Sequence, residues 1–389
     1  MPGFEVIGIE EQQEVDSIFS AGGGVLFRHG FEKLRNHSYK VKEFEYDFGV
    51  YIGNPNTLAV SSGTAALRVA IASLNLSPGD EIITQSFTFV ATAEAIVESS
   101  CIPVFTEIDE TLNMDPRDLE IRITPKTKAV IVVHMLGTPA NLTEIKNICK
   151  NKNLYLIEDT AWGCGGEYDE KKLGTIGDIG CFSFDFAKTI TTGEGGMVVF
   201  KDSELFKKGA AYHDHGHENN PNLPRWEDSR SSSGFNYRMS ELQGAVGKAQ
   251  LKKLDYIVNC QRENASKIKK VIGKYDYYTE RHTPSDSFGT ADAFVFFSKS
   301  VKPIEIRKAL LKNGISTKIL PEANTWHFAQ HWDHIVELDT FTGKPLGTSF
   351  NKSADILNSA VSIPISVNPS DKFIQILETT FESIHKDIV

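Results

Sequence analysis

The sequence predicts an α/β protein: a large, mostly parallel sheet with helices on both faces, followed by a smaller α+β unit. Three features of its 389 residues carry that prediction. Short apolar runs alternate with helical segments of about ten to fifteen residues, and parallel strands need such crossovers. One run, 154–157, ends abruptly in Glu158 and Asp159. That is the pattern of a buried strand delivering a carboxylate at its C-terminal end, where open α/β sheets hold their ligands. From about residue 256 the alternation gives way to a different mixture of strand and helix.

Residues 1–50 read as an arm, with a helix over 10–19, a Gly22-Gly23-Gly24 break, the stretch VLFRHGF and a charged helical segment over 33–48. A large domain is expected over 51–255. It opens with a strand at 58–60, after which Ser61-Ser62-Gly63-Thr64 starts a helix with apolar residues at Ala66, Leu67, Ala70, Ile71 and Leu74. The first N–H groups of a helix lack internal partners and its dipole adds to them, so this start suits an anion as well as an ordinary N-cap. Pro78-Gly79-Asp80 marks a turn. Strands follow at 81–84, 102–105 and 129–133, with helices at 91–98 and after Asn141. The runs 181–184 and 197–200 are the last strands of this domain, separated by Lys188 and Gly193-Glu194-Gly195-Gly196. His213, Asp214, His215, His217 and Glu218 are ligand types, but they lie in a loop without helical spacing, and no metal is expected. After a polar loop, 221–233, helices are expected over 241–251 and on through Lys270. The small domain, 256–389, should hold strands at 293–298 and 315–320, a helix over 303–313 and a terminal helix over 371–384.

The net charge is −10, with no basic tract or aromatic–basic stripe, which argues against nucleic acid as a partner. The opening residues lack the pattern of a signal peptide, and no apolar run approaches the roughly 20 residues of a membrane span. Cys101, Cys149, Cys164, Cys181 and Cys260 are dispersed and odd in number. Such a set suits buried thiols in a reducing cytoplasm better than a disulfide scaffold.

Lys188 follows an aromatic-rich strand and precedes a Gly-rich turn, and Asp159 closes the strand before it. A lysine and an aspartate in this order suit pyridoxal 5'-phosphate (PLP). A lysine amine forms a Schiff base with the cofactor aldehyde, and an aspartate keeps the pyridine nitrogen protonated so that the ring accepts electrons. At about 4 Å and an effective dielectric near 20, that ion pair is worth roughly 4 kcal/mol. Singly, Asp159 reads as well as a helix cap and Lys188 as a solvated loop residue; together they favour PLP.

Seven motifs occur in one order: Ser62-Gly63-Thr64-Ala65-Ala66-Leu67, Thr88-Phe89-Val90-Ala91-Thr92, Glu158-Asp159, Gly177-Asp178-Ile179-Gly180, Ser183-Phe184 through Lys188, Gly193-Glu194-Gly195-Gly196 and Asn236-Tyr237-Arg238-Met239. With them the chain, from about Val60 to its end, resembles the DegT/StrS-type sugar aminotransferases, a family of fold-type I PLP enzymes. The resemblance implies a PLP-binding large domain, Lys188 as the Schiff-base lysine and Asp159 as the pyridinium partner. It further implies Phe89 stacked on the cofactor ring and Gly63, Thr64 and Ser183 on the phosphate. Asn236 would reach the phosphate of the neighbouring subunit's cofactor, giving a homodimer with shared active sites. L-Glutamate would be the amino donor and a keto sugar the acceptor.

Two departures stand out. Trp162 lies three residues past Asp159, where relatives commonly carry His or Gln, and the N-terminal arm is longer than usual. Residues 1–5 and VLFRHGF are most similar to a branch that aminates C8 of an octulosonate, a Kdo-like sugar of lipopolysaccharide, giving 8-amino-3,8-dideoxy-manno-octulosonate. A nucleotide-linked 3- or 4-keto sugar is the alternative. The octulosonate's carboxylate would need a cationic or multi-donor partner, and Arg28, His29, His327 and His331 are the candidates, with Trp162 a further substrate-side residue. Dehydrating relatives carry His at the Lys188 position. A desulfurase would need a mobile reactive Cys. A cofactor-binding regulatory protein would not need Lys188, Asp159 and Asn236 together.

Overall fold

Seven of the strands hydrogen-bond into one sheet in the computed structural model, which describes residues 2–220, 222–336 and 349–386. In chain order come β1 (Thr57–Val60), β2 (Glu81–Gln85), β3 (Ile102–Thr106), β4 (Thr127–Val133) and β5 (Tyr155–Asp159). A small hairpin, β6 (Glu167–Tyr168) and β7 (Lys171–Lys172), precedes β8 (Ile179–Ser183) and β9 (Gly196–Phe200). The order across the sheet is β1-β9-β8-β5-β4-β2-β3. β9 runs antiparallel to both neighbours, and the other pairings are parallel.

Side chains alternate along a strand. Ile131, Ile157, Cys181 and Val198 therefore face one way, into a core with the helix Gly63–Ser73. Val130, Val132 and Leu156 face the other way, against the helix Leu142–Lys152. On that second face Phe182, Met197 and Val199 meet the helix Lys40–Ile52. Burial on both faces is why the runs read as continuously apolar.

The arm departs from expectation in one place. Its first long helix, Ile9–Ser20, lies where predicted, but the second begins at Lys40 rather than near residue 33. Phe31, Asn36 and His37 instead take positive φ. They wrap around the fully buried Arg35, whose guanidinium donates to the carbonyls of Val25, Phe27 and Arg28.

A second sheet is built from β10 (Tyr278–Glu280), β12 (Ala293–Ser298) and β13 (Ala360–Pro364), with β11 (Ser287–Phe288) joining the small hairpin instead. β12 is central and antiparallel to both partners. The strand expected at 315–320 does not form. Ile319 has a φ of 71°, and the segment hydrogen-bonds to β13 at one residue, Ser362: Lys318 N–H donates to Ser362 O (2.9 Å), Ser362 N–H to Leu320 O (3.2 Å), Leu320 N–H to Ser362 Oγ (3.3 Å), and the Ser362 hydroxyl to Lys318 O. The helix Leu254–Ile272 spans the expected domain boundary. Its first turns pack in the core of the large sheet, through Leu254, Ile257 and Val258. Its last turns pack in that of the small one, through Ile268, Val271 and Ile272. Among the described residues no helix is long and apolar enough to cross a membrane.

Arg281, just after β10, is a further tie between the two sheets. It is buried and donates to Thr111 O (2.6 Å), Met135 O (2.8 Å) and Asn113 Oδ1 (3.4 Å). Removing the guanidinium strands these acceptors in a dry site. Arg281→Met should lower the unfolding free energy by about 3 kcal/mol; an unchanged urea midpoint would show that these bonds contribute nothing net.

Candidate active site

At the end of β5, alternation sends neighbouring carboxylates to opposite faces. Glu158, fully buried, accepts hydrogen bonds from Gly174 N (2.9 Å), Ile176 N (2.7 Å), Gly177 N (2.6 Å) and His134 Nε2 (3.3 Å). His134 Nδ1 accepts the Ala140 N–H at 3.1 Å, which leaves the ring proton on Nε2. Glu158 thus fastens the loop that carries the chain from β7 into β8. Asp159, 6 % exposed, faces the side of the helix Gly63–Ser73. Its Oδ1 accepts from Ala161 N (3.1 Å) and its Oδ2 from Thr92 Oγ1 (3.2 Å). Burial pushes its carboxyl above the usual range, a cost that a cationic N–H partner would relieve.

Lys188 sits on the loop between β8 and β9. Main-chain bonds clamp that loop: Phe184 N to Gly195 O (2.8 Å), Thr192 N to Phe184 O (2.9 Å) and Gly3 N to Lys188 O (3.1 Å). The side chain is half-buried and its amine end is enclosed, with Nζ 3.3 Å from the centre of the Trp162 ring. Burial and then the Lys318 ammonium lower its pKa to about 8, against the opposing carboxylates of Asp292, Asp185 and Asp159. A lysine in that range supplies free amine near neutral pH.

Lys188 and Asp159 both line a cavity of about 260 Å³. Gly63, Thr64 and Ser183 form one end of it, and Phe89, Trp162 and His327 add aromatic walls. Ser62 caps the helix at that end, its Oγ accepting from Ala65 N at 3.0 Å, while the N–H groups of Gly63 and Thr64 have no helical partner. A Cβ on Gly63 would stand 2.7 Å from Ser183 Cβ, and one on Gly196 would lie 2.4 Å from Ser62 O. The glycines therefore let β8 and β9 approach the helix start while keeping a small polar recess open. Helix N–H groups with hydroxyls suit a phosphate, a buried carboxylate suits a cationic ring nitrogen, and a free amine suits an aldehyde. PLP carries all three groups, and the residues present fit it.

The other predicted residues fall into two sets. His327 is inside: its Nδ1 donates to Ala323 O (3.1 Å), burial lowers its pKa to about 4, and Nε2 is left as an acceptor. Its ring lies 5.4 Å from that of Phe89, which is 38 % exposed. Arg28, His29, His331 and Asn236 do not line the cavity of their own chain. Arg28 is paired with Glu45 (2.7 Å) and donates to Ala59 O (3.2 Å), and His29 pairs with Asp214 (3.0 Å). Asp214 also takes Arg225 and Arg238, and its carboxyl, which burial alone would raise, is held far below the usual range by His29 and Arg225. Exposed Asn236 bridges to Asp214 through its backbone. Thr92 belongs to the Thr88–Thr92 motif, but nothing in the sequence signals its bond to Asp159. Lys318 and Asp292 carry no sequence signal at all.

Residues 31–379 match the DegT/DnrJ/EryC1/StrS aminotransferase family. The spore coat polysaccharide biosynthesis protein SpsC of Bacillus subtilis is 36% identical over 271 residues, 67% of this chain and 66% of that protein. The GDP-perosamine synthase of Escherichia coli O157:H7 is 40% identical over 233 residues, 60% of this chain and 63% of that one. The chain spans a little under two thirds of the length of these relatives. Among solved structures, the aminotransferase from Psychrobacter cryohalolentis is similar with a TM-score of 0.86 at 25% identity, covering 98% of each chain.

The recess at Gly63 gives a direct test of the fit. A methyl group there collides with Ser183, and overpacking of this kind costs about 1–3 kcal/mol. Gly63→Ala should raise the dissociation constant for PLP about tenfold or more, as read by absorbance titration. Unaltered PLP affinity would mean the phosphate binds elsewhere.

Proposed function

Since the chain belongs to the DegT/DnrJ/EryC1/StrS aminotransferase family, we propose that it is a PLP-dependent aminotransferase that moves an amino group from L-glutamate to a keto sugar. The observation that carries this reading is an enclosed Lys188 amine and a buried Asp159 carboxylate on one cavity, beside a capped helix start. Bound PLP supplies an electron-accepting ring next to the carbon that gives or takes the amino group. The chain does the rest. Lys188 Nζ, as free base, would hold PLP through its aldehyde, and as the free amine it would accept and return a proton at the substrate carbon. Asp159 holds the proton on the ring nitrogen. Gly63, Thr64 and Ser183 hold the phosphate, Phe89 and Trp162 exclude water, and His327 Nε2 offers an acceptor to a sugar hydroxyl.

Two acceptor classes fit. Residues 1–5 and VLFRHGF favour the C8-keto octulosonate, with 8-amino-3,8-dideoxy-manno-octulosonate as product. The GDP-perosamine synthase among the relatives favours a nucleotide-linked 3- or 4-keto sugar. In this chain Arg28 and His29 are engaged by Glu45 and Asp214, so the octulosonate reading rests on the opening residues and not on a free cation of the arm. A cytoplasmic homodimer completes the proposal, with exposed Asn236 serving the partner's phosphate site.

Incubation with L-glutamate and a panel of both sugar classes, with products identified by mass, tests the function. Amination of one class assigns the acceptor; PLP binding without amination of either would favour a cofactor-binding regulator. Lys188→Ala should abolish turnover. Asp159→Asn should lower kcat at least about a hundredfold while leaving most PLP affinity, and a loss below about threefold would make Asp159 no more than a cap. Mixing inactive Lys188→Ala and Asn236→Ala chains should restore part of the activity in heterodimers. Heterodimers that form but stay inactive would rule out a shared site.

A further inference from the structure

A second ammonium group stands beside the reactive one. Lys318 reaches in from the segment along β13, and its Nζ lies 4.6 Å from the centre of the Trp162 ring. Lys188 Nζ rests on the same ring at 3.3 Å. Like charges so placed repel, and away from water little screens that repulsion. Lys318 is kept there by Asp292, the residue before β12, whose Oδ1 accepts from its Nζ at 2.7 Å. The Asp292 side chain is 1 % exposed and that of Lys318 17 %. Neither residue belongs to the sheet that carries Asp159 and leads to Lys188.

The other charged and titratable groups around Lys188 come from every neighbouring element. Asp159 lies at the end of β5 and Asp185 on the lysine's own loop, with Glu194 at the exposed rim before β9. His327, made neutral by burial, faces it from the helix Asn324–His327. The carboxylates, Asp292 among them, favour the ammonium form of Lys188; Lys318 opposes them, and its influence on Lys188 exceeds that of Asp292.

We propose that Lys318, anchored by Asp292, is a positioning residue whose charge keeps the Lys188 amine free and nucleophilic across the shared Trp162 ring. The proposal rests on the reading of Lys188 as the reactive amine. A cation adjacent to a desolvated lysine is a recognised way to activate it. Here the two sheets are thereby coupled: the loop between β8 and β9 supplies the nucleophile, and the segment beside β13 supplies the charge that readies it.

The test uses the full chain freed of bound aldehyde, pulsed with acetic anhydride from about pH 6 to about pH 11. Acetylation of Lys188 is quantified by mass in its own peptide, so no catalytic turnover is involved. In the unmodified protein the labelling midpoint should fall at about 8. Lys318→Met should cut Lys188 labelling at pH 7 by about tenfold or more, whereas Lys318→Arg should stay within about twofold of the parent. Lys318→Gln keeps a donor for Asp292 and should behave as Lys318→Met does, which preserves the test if the methionine variant misfolds. Unchanged labelling in folded Lys318→Met or Lys318→Gln overturns the role of Lys318 and leaves that of Lys188 intact. A parent midpoint near that of free lysine overturns the reading of Lys188, and this inference with it.

Discussion

Alternation of side chains at the end of β5 is the constraint on which the site depends. Two carboxylates adjoin in sequence and must point to opposite faces. Glu158 faces the structural side, where three backbone N–H groups and His134 take up its acceptor capacity. Asp159 faces the cavity. The pairing of β5 with β8 then sets Asp159 opposite Cys181, two residues before Ser183, and the loop beyond reaches Lys188. A slip of one residue in β5 would exchange the two carboxylates and undo both arrangements.

The cavity holds its charges under tension. Burial works against the carboxylate of Asp159 and against the ammonium of Lys188. Each is therefore primed for a partner that the chain does not itself supply: a cationic ring nitrogen for one, a carbonyl for the other. The loop that bears Lys188 is held by main-chain bonds from Gly3, Gly195 and Thr192, which fix its backbone. Rigid support of a reactive group is how a site avoids paying for orientation at the moment of chemistry.

Much of this was legible in the residues because local pattern and long-range structure agree there. Strands buried on both faces announce themselves as apolar runs, and Lys188 and Asp159 were marked by position relative to those runs and to glycine. What could not be read depends on distant partners. Arg28 and His29 look like free cations in sequence, yet Glu45 and Asp214 claim them. The segment 33–39 has the charge pattern of a helix but turns around buried Arg35. The apolar run at 315–320 resembles a strand, and the positive φ of Ile319 prevents one. Lys318 enters the site only because β12 and β13 place it there, a relation no local window contains.

The central claim is that one enclosed amine meets the cofactor. Incubation with PLP, reduction by borohydride and peptide mapping by mass would fix the aldehyde to whichever amine it has engaged. The account predicts one adduct per chain, on Lys188, and its loss in Lys188→Ala. An adduct spread over exposed lysines, or one that persists in Lys188→Ala at the same level, would contradict it.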